Sequence, residues 1–124
     1  MEQPKEISIG DVKYIRADSV KNYEAAESVD GMDYVIVRGD RPGVFAGYLK
    51  SRDGKEAELS NARRMWYWSG AASISQLAME GVKNPDECKF PIEVTKLFLT
   101  DVIEVIPATE EAMESIRGVT IWKE

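Results

Sequence analysis

Apolar runs separated by turn-forming pairs occupy the middle of the chain, over residues 33–68. The stretch DYVIVRG reads as one apolar strand, and GVFAGYLK reads as a second after the turn-like GDRPG. Asp53 and Gly54 form the strongest short hairpin signal, and they lead into EAELSN as a third strand. Asn61 marks another break, and the aromatic-rich RRMWYW is the predicted fourth strand. This section is therefore predicted to be an antiparallel meander of about four strands.

The apolar period changes to that of a helix at Ser73. Ser73 and Gln76 have the capping-box spacing, in which the serine accepts a hydrogen bond and the glutamine reaches back to the N-cap amide. Apolar residues then recur three and four positions apart, and Gly81 supplies a stop signal. We predict a short amphipathic helix over residues 74–80.

The C-terminal part of the chain predicts more strand and a second helix. IEVTKLFLTDVIEVIP is rich in Val, Ile and Phe and predicts one or two strands that end at Pro107. Thr109 is suited to cap the helix EEAMESIR, and Gly118 stops it. The following VTIW is predicted to return to the sheet edge.

These elements predict the α+β class: a small antiparallel β-sheet, made of the meander plus one or two C-terminal strands, packed with two short helices. A chain of 124 residues has room for one core, which we assign to a single domain over residues 33–124. Residues 1–32 are predicted to be an N-terminal appendage. It contains a short strand in ISIGDVKYIRA and a helix in DSVKNYEAAES, with Asp18 as its N-cap.

The distribution of charge favours a small anionic ligand. The whole chain carries a net charge of -6, which argues against binding to polymeric nucleic acid. Residues 33–70, however, hold seven basic and five acidic side chains. Arginine clustered within an acidic protein suits a small anion better than a polymer.

The residue types that are missing restrict the chemistry. The chain has no histidine and one cysteine, which excludes internal disulfides, the usual structural zinc sites and histidine-dependent nucleophiles. Acid-base chemistry is left to carboxylate, lysine or tyrosine side chains, and we predict no catalytic set, metal site or cofactor. The apolar runs are too short to span a bilayer, and the N-terminus lacks an apolar signal core. We therefore expect a cytosolic protein without a membrane partner.

The arginine-aromatic stretch RRMWYW supplies candidate ligand-binding residues. Strand alternation places Arg64, Trp66 and Trp68 on one face, with Arg63, Met65 and Tyr67 on the other. One reading puts the tryptophans in the core. The other puts an aromatic ring and an arginine at the rim of a pocket, where they offer a stacking plane and a phosphate-binding fork.

Two further candidates lie nearer the C-terminus. The tripeptide CKF places Lys89 and Phe90 on a loop, where Phe90 either anchors the loop or stacks on a ligand. Arg117 is either a ligand contact or a cation that stabilises the C-terminal end of its helix.

Residues 33–123 resemble small phage and prophage proteins that carry a domain of unknown function. The resemblance rests on GVFAG, NARRMWYWSGAASISQLA, CKF, and the SI and W of the C-terminal stretch. This set is identified with the first described Thoeris anti-defence family, sponges that sequester the cyclic ADP-ribose signal of bacterial TIR-domain enzymes. Residues 1–32 lie outside the resemblance.

The resemblance implies a function and several site residues. Members bind glycocyclic ADP-ribose without cleaving it, in pockets at the protomer interfaces of a dimer, and some assemble further and also hold cyclic trinucleotides. By this resemblance Phe90 stacks on adenine and Arg117 contacts phosphate or ribose, while Arg38 and Arg64 could serve either ligand. The implied protein is a homo-oligomer that acts, without a cofactor, in the cytoplasm of the infected host.

The full set of candidate ligand-binding residues is Phe90, Arg117, Arg38, Arg64, Trp68 and Lys89. Two alternatives stay open. One is a metal-dependent cyclic nucleotide phosphodiesterase, with Asp101 and Glu104 among its metal-binding carboxylates. The other is a phage protein-interaction module with the tryptophan-rich strand at its interface.

Overall fold

A computed structural model describes residues 23–124, so the strand predicted in ISIGDVKYIRA lies outside the described residues. Five strands and two helices follow one another along the chain. The strands are β1 (Asp33–Gly39), β2 (Val44–Asp53), β3 (Glu56–Arg64), β4 (Val94–Leu99) and β5 (Val102–Pro107). The helices are α1 (Ile74–Glu80) and α2 (Glu110–Gly118), with a short 3₁₀ turn at Pro85–Glu87. The predicted α+β class is confirmed, including the two C-terminal strands.

The strand order β4-β3-β2-β1-β5 requires the sheet to curl. Strands β4 and β5 lie at opposite edges, yet only Thr100 and Asp101 separate them in sequence. Three residue steps reach at most about 11 Å, whereas the edges of a flat five-stranded sheet lie about 19 Å apart. The amide of Val102 donates to the carbonyl of Lys55 at 2.9 Å, which ties the β4–β5 connection to the β2–β3 turn. The sheet therefore rolls towards closure at this end.

The two faces of the curled sheet bury separate apolar clusters. On the inner face, Leu99 of β4 and Val102 of β5 share one cluster with Val35, Val37, Phe45 and Leu59, as a curled sheet requires. On the outer face, residues of β1 and β2 pack under α1 and α2; this cluster includes Tyr34, Ile36, Ala46, Leu77, Phe90 and Ile116. Strand alternation assigns neighbouring residues of β1 to opposite clusters.

A bulge at Asn61 corrects the predicted break and fourth strand. Strand β3 runs through this position, where Asn61 adopts a left-handed φ of 51°. Ser60 pairs with Tyr48 and Arg63 with Ala46, so β3 carries one extra residue relative to β2. The prediction failed because asparagine tolerates this conformation inside a strand as readily as in a turn. Since the side-chain period is two, the extra residue turns Arg63 towards the helices and Arg64 away from them.

The predicted helix caps are largely confirmed. Ser73 Oγ accepts from the amide of Gln76 at 3.1 Å, and Thr109 Oγ1 accepts from the amide of Ala112 at 3.0 Å. The Gln76 side chain accepts from the amide of Ala72 instead of the N-cap amide. Both helices thus begin where side-chain oxygens satisfy otherwise unpaired amides.

Residues 24–27 lie against the beginning of α2. The amide of Ala26 donates to the carbonyl of Ala108 at 3.1 Å. Residues 23–28, the described part of the helix predicted in DSVKNYEAAES, do not form a helix, so that prediction is wrong there. Alanine-rich spacing expresses a weak local preference, and backbone pairing with another segment overrides it.

Candidate ligand-binding site

A buried arginine joins β3 to the C-terminal end of α2. Arg63 is 2% exposed. Its Nε donates to the carbonyl of Pro91 at 3.0 Å, Nη1 to that of Ile116 at 2.9 Å, and Nη2 to that of Phe90 at 3.1 Å. These bonds compensate the lost hydration of the guanidinium, whose positive charge also suits the carbonyl end of a helix. Burial lowers the pKa of Arg63 from its ordinary value, and the nearby Glu93 acts in the opposite direction.

Arg117, in the last turn of α2, is held by a two-pronged ion pair. Its Nε lies 3.0 Å from Oε2 of Glu93 and its Nη2 lies 2.9 Å from Oε1. The side chains of Arg117 and Glu93 are 36% and 27% exposed, so water reaches the pair. This pairing raises the pKa of Arg117 above its ordinary value. The Arg117 guanidinium also lies 5.7 Å from the ring centre of Tyr48, which favours one side-chain orientation.

A buried tyrosine lies close to this ion pair. Tyr34 packs edge-to-face on Tyr48, with 5.0 Å between the ring centres. Its hydroxyl finds no hydrogen-bond partner among residues 23–124. Burial raises the pKa of Tyr34, and the Glu93 carboxylate raises it further while Arg117 opposes them. The unpaired hydroxyl marks this part of the outer-face core as under-satisfied.

The two arginines line a cavity that we call the Arg117 pocket. Its volume is about 230 Å³, and its lining consists of Arg63, Ile92, Glu93, Arg117, Val119 and Ile121. Pockets that enclose a drug-sized ligand measure roughly 300 to 1,000 Å³. The Arg117 pocket is therefore suited to part of a nucleotide, such as a phosphate group or a ribose, with the rest of the ligand lying outside it.

Three exposed aromatic side chains lie on segments that hydrogen-bond to residues 89–90, close in sequence to the pocket-lining Ile92 and Glu93. We call Trp66, Tyr67 and Trp122 the aromatic ridge; they are 65%, 53% and 47% exposed. The amide of Lys89 donates to the carbonyl of Tyr67 at 2.8 Å, and the amide of Trp122 donates to that of Phe90 at 2.9 Å. Lys89 Nζ also lies 5.8 Å from the Trp122 ring. Because the Phe90 carbonyl accepts from both Trp122 and Arg63, the ridge and the pocket share one scaffold.

Phe90 itself does not offer a stacking surface. The side chain is 0% exposed and belongs to the outer-face core, with the Arg63 guanidinium 5.5 Å from its ring centre. In this structure Phe90 is therefore not exposed for stacking on an adenine, and the loop-anchor reading describes its position. Position on a loop beside a proline suggested exposure, but the contact with Arg63 comes from a strand distant in sequence.

The other predicted site residues do not converge on one pocket. Arg38 lies at the end of β1, 53% exposed, with Nη1 3.6 Å from Oε1 of Glu104. Arg64 lies on the inner face, where it stacks 4.5 Å from the Phe45 ring centre and donates to the carbonyl of Pro42 at 2.7 Å. Arg64 lines a different cavity of about 500 Å³, together with Arg41 and Phe98.

Trp68 and Lys89 lie on the same side of the molecule as Arg117. Trp68 is partly buried against the outer-face core, while Lys89 is exposed beside Trp122. Of the predicted set, the structure thus leaves Arg117 and Lys89 at the pocket and ridge. Trp66 is largely exposed, so the reading that placed it in the core is wrong.

Three residues of this site were missed as candidates from the sequence: Arg63, Glu93 and Trp122. Arg63 was not considered as a pocket residue, because the bulge at Asn61 was read as a break between strands and the burial of Arg63 was not predicted. Glu93 precedes β4 with no local pattern to mark it. Trp122 lies in VTIW, which was predicted to return to the sheet edge, so its exposure was not anticipated.

Two findings bear on the metal-dependent phosphodiesterase alternative. Among residues 23–124 there is no group of three or more His, Cys, Asp and Glu side chains placed to hold a metal ion. Glu104, one of the carboxylates considered for a metal, instead pairs with Arg38. No helix in the described part of the chain is long and apolar enough to cross a bilayer.

Comparison with known proteins gives one match. No curated protein and no solved structure is detectably similar to this chain. One family model, described as a domain of unknown function and designated DUF6948, matches residues 32–116, which hold all five strands and most of α2. The chain belongs to the DUF6948 family.

Proposed function

We propose that this protein binds and sequesters, without cleaving it, a cyclic ADP-ribose-type messenger. The observation that carries the proposal is the Arg117 pocket, a small arginine-lined cavity, together with three exposed aromatic side chains on segments that hydrogen-bond to residues 89–90. In this arrangement a phosphate or pyrophosphate group enters the pocket, and the adenine lies outside it on the aromatic ridge.

Each part of the ligand has a matching chemistry in the protein. A guanidinium fork binds phosphate oxygens in pairs. Stacking of a base on an aromatic side chain contributes about 1 to 3 kcal/mol. Trp122 is our candidate for the stacking residue in place of Phe90, because it is exposed and has Lys89 beside it.

The resemblance to the Thoeris anti-defence sponges supports the same proposal and supplies its biological setting. The protein would act in the cytoplasm of an infected bacterium as a homodimer or larger assembly, and it would remove the messenger of TIR-domain enzymes. If the pocket lies at a protomer interface, a second protomer would cover the aromatic ridge that a single protomer leaves exposed. The resemblance also implies a second ligand class, cyclic oligonucleotides.

Uptake and release of glycocyclic ADP-ribose tests this function. The purified protein is incubated with the messenger, washed and heated, and the released material is separated by chromatography. Intact messenger is expected. A hydrolysed product would replace sequestration with an enzyme, for which the phosphodiesterase alternative predicts sensitivity to EDTA. No uptake would remove both.

The aromatic ridge also favours a second candidate function, binding to another protein. Trp66 is 65% exposed, and exposed tryptophan is enriched at protein interfaces. This candidate predicts that a host or phage protein is retained in a pull-down whether or not messenger is present, and that Trp66→Ala abolishes the retention. Loss of the captured protein on adding messenger would favour the nucleotide site instead.

A further inference from the structure

The guanidinium groups of the Arg117 pocket already have acceptors within the protein. Arg63 directs Nε, Nη1 and Nη2 to backbone carbonyls. Arg117 directs Nε and Nη2 to both oxygens of Glu93. An incoming anion that uses the Nε/Nη2 edge of Arg117 must therefore displace the Glu93 carboxylate.

Glu93 is placed so that it can move without disturbing the fold. It lies one residue before β4, outside the strand pairing, and its side chain is 27% exposed. The carbonyl contacts of Arg63 do not involve Glu93, so one positive charge stays fixed in the pocket when Glu93 moves. Arg117 keeps its contact with the Tyr48 ring, 5.7 Å away.

We propose that Glu93 is a specificity-determining residue of the Arg117 pocket, because its carboxylate occupies the place of a ligand anion. The inference rests on the proposed function in taking this pocket as the anion-binding site. When a monoanion takes the place of the carboxylate, one negative charge replaces another, and the exchange contributes little binding free energy. A pyrophosphate brings at least two closely spaced charges to Arg63 and Arg117 and outcompetes the carboxylate. Glu93 therefore selects for ligands that carry a pyrophosphate.

Glu93→Gln tests this selection, with inorganic pyrophosphate and dimethyl phosphate as probes of different charge. Binding is measured by calorimetry and by the fluorescence of the nearby Trp122. Without the Glu93 carboxylate, the Arg117 guanidinium is free to bind an anion, which is expected to tighten pyrophosphate binding about tenfold. Dimethyl phosphate, a monoanion that does not displace the carboxylate in the wild-type protein, should bind the pocket detectably only in Glu93→Gln.

Glu104→Gln is the matched control. It removes a carboxylate from another Arg–Glu pair, that of Arg38, which lies outside the pocket. Its pyrophosphate affinity should change less than twofold. Glu93→Asp, whose shorter side chain reaches the fork less well, should show a smaller gain than Glu93→Gln. The gain should vanish in the double variant Glu93→Gln/Arg117→Gln, and thermal melting confirms that each variant is folded.

The inference is overturned if Glu93→Gln gains no more affinity than Glu104→Gln, or if the gain persists without Arg117. The test is separable from that of the proposed function. A pyrophosphate gain that depends on Arg117, in a protein that takes up no glycocyclic ADP-ribose, upholds the role of Glu93 and rejects the messenger. Messenger uptake that Glu93→Gln leaves unchanged, with no gain for either probe, rejects the role of Glu93 alone.

Discussion

Two neighbouring arginines, Arg63 and Arg64, each lie over a buried phenylalanine, but on opposite faces of the sheet. Arg63 lies 5.5 Å from the Phe90 ring centre and Arg64 lies 4.5 Å from that of Phe45. Arg63 is almost fully buried and bonds to carbonyls of four separate residues, whereas Arg64 is partly exposed and bonds to one carbonyl. The extra residue at Asn61 decides which arginine takes which face. Adjacent identical residues therefore have different structural roles.

Arg63 therefore holds the segments of a site in place, whereas Arg64 makes local contacts on a partly exposed surface. Arg63 fixes the backbone of residues 90–91 and the end of α2, and those segments carry Trp122 and Arg117 into position. Arg64 makes no such connection in the described part of the chain. Substitution of Arg63 should therefore affect both stability and binding, while substitution of Arg64 should affect neither strongly.

The largest expected effect is that of Phe90→Ala. Removing a fully buried phenylalanine costs about 3 to 5 kcal/mol of unfolding free energy. The matched change at an exposed aromatic, Trp122→Ala, should cost less than about 1 kcal/mol while it weakens messenger uptake. Urea unfolding of both variants checks the prediction. A stable Phe90→Ala protein that no longer binds messenger would return Phe90 to the ligand site.

Arg63→Met should be the next most damaging change. It removes a buried guanidinium that donates to the carbonyls of Pro91, Ile116 and Phe90, of which that of Pro91 has no other donor among residues 23–124, and this loss costs about 3 kcal/mol. Arg64→Met, at the neighbouring position, should cost less than about 1 kcal/mol because it removes one hydrogen bond and one ring contact of a partly exposed side chain. Equal destabilisation of the two variants in guanidinium unfolding would contradict the different structural roles of Arg63 and Arg64.

The bulge can be tested at Asn61. A β-branched residue is strained at a φ of 51°, so Asn61→Val should lower stability by about 1 to 2 kcal/mol. Asn61→Gly accepts the same conformation and should stay within about 0.5 kcal/mol of the wild type. Thermal melting compares the pair, and an Asn61→Val protein as stable as Asn61→Gly would argue against the left-handed bulge.

The smallest effect, with the opposite sign, is expected at Tyr34. Its hydroxyl is buried without a partner among residues 23–124, so Tyr34→Phe removes an unsatisfied group and should stabilise the protein by up to about 1 kcal/mol. Tyr48→Phe, on the ring that packs against it, is the control and should be near neutral. A marked loss of stability in Tyr34→Phe would mean that the hydroxyl has a partner.

Local signals in the sequence predicted the elements but could not predict which side chains meet. Ser73 and Thr109 cap their helices as expected, and the turn after Asp53 joins β2 to β3, because capping and turn formation depend on neighbouring residues. The placement of β4 and β5 at opposite edges depends on long-range pairing and was not predictable. Phe90 and Glu93 were misjudged or missed for the same reason, since each takes its role from an arginine at least 24 residues away.

The most direct test of the central claim compares messenger uptake by the wild-type protein, Arg117→Gln and Arg38→Gln. All three are incubated with glycocyclic ADP-ribose, washed and heated, and the released nucleotide is quantified by chromatography. The wild type and Arg38→Gln should release equal amounts of intact messenger, and Arg117→Gln should release almost none. Uptake by Arg117→Gln that matches the wild type, or release of a cleaved product, would contradict sequestration at the Arg117 pocket.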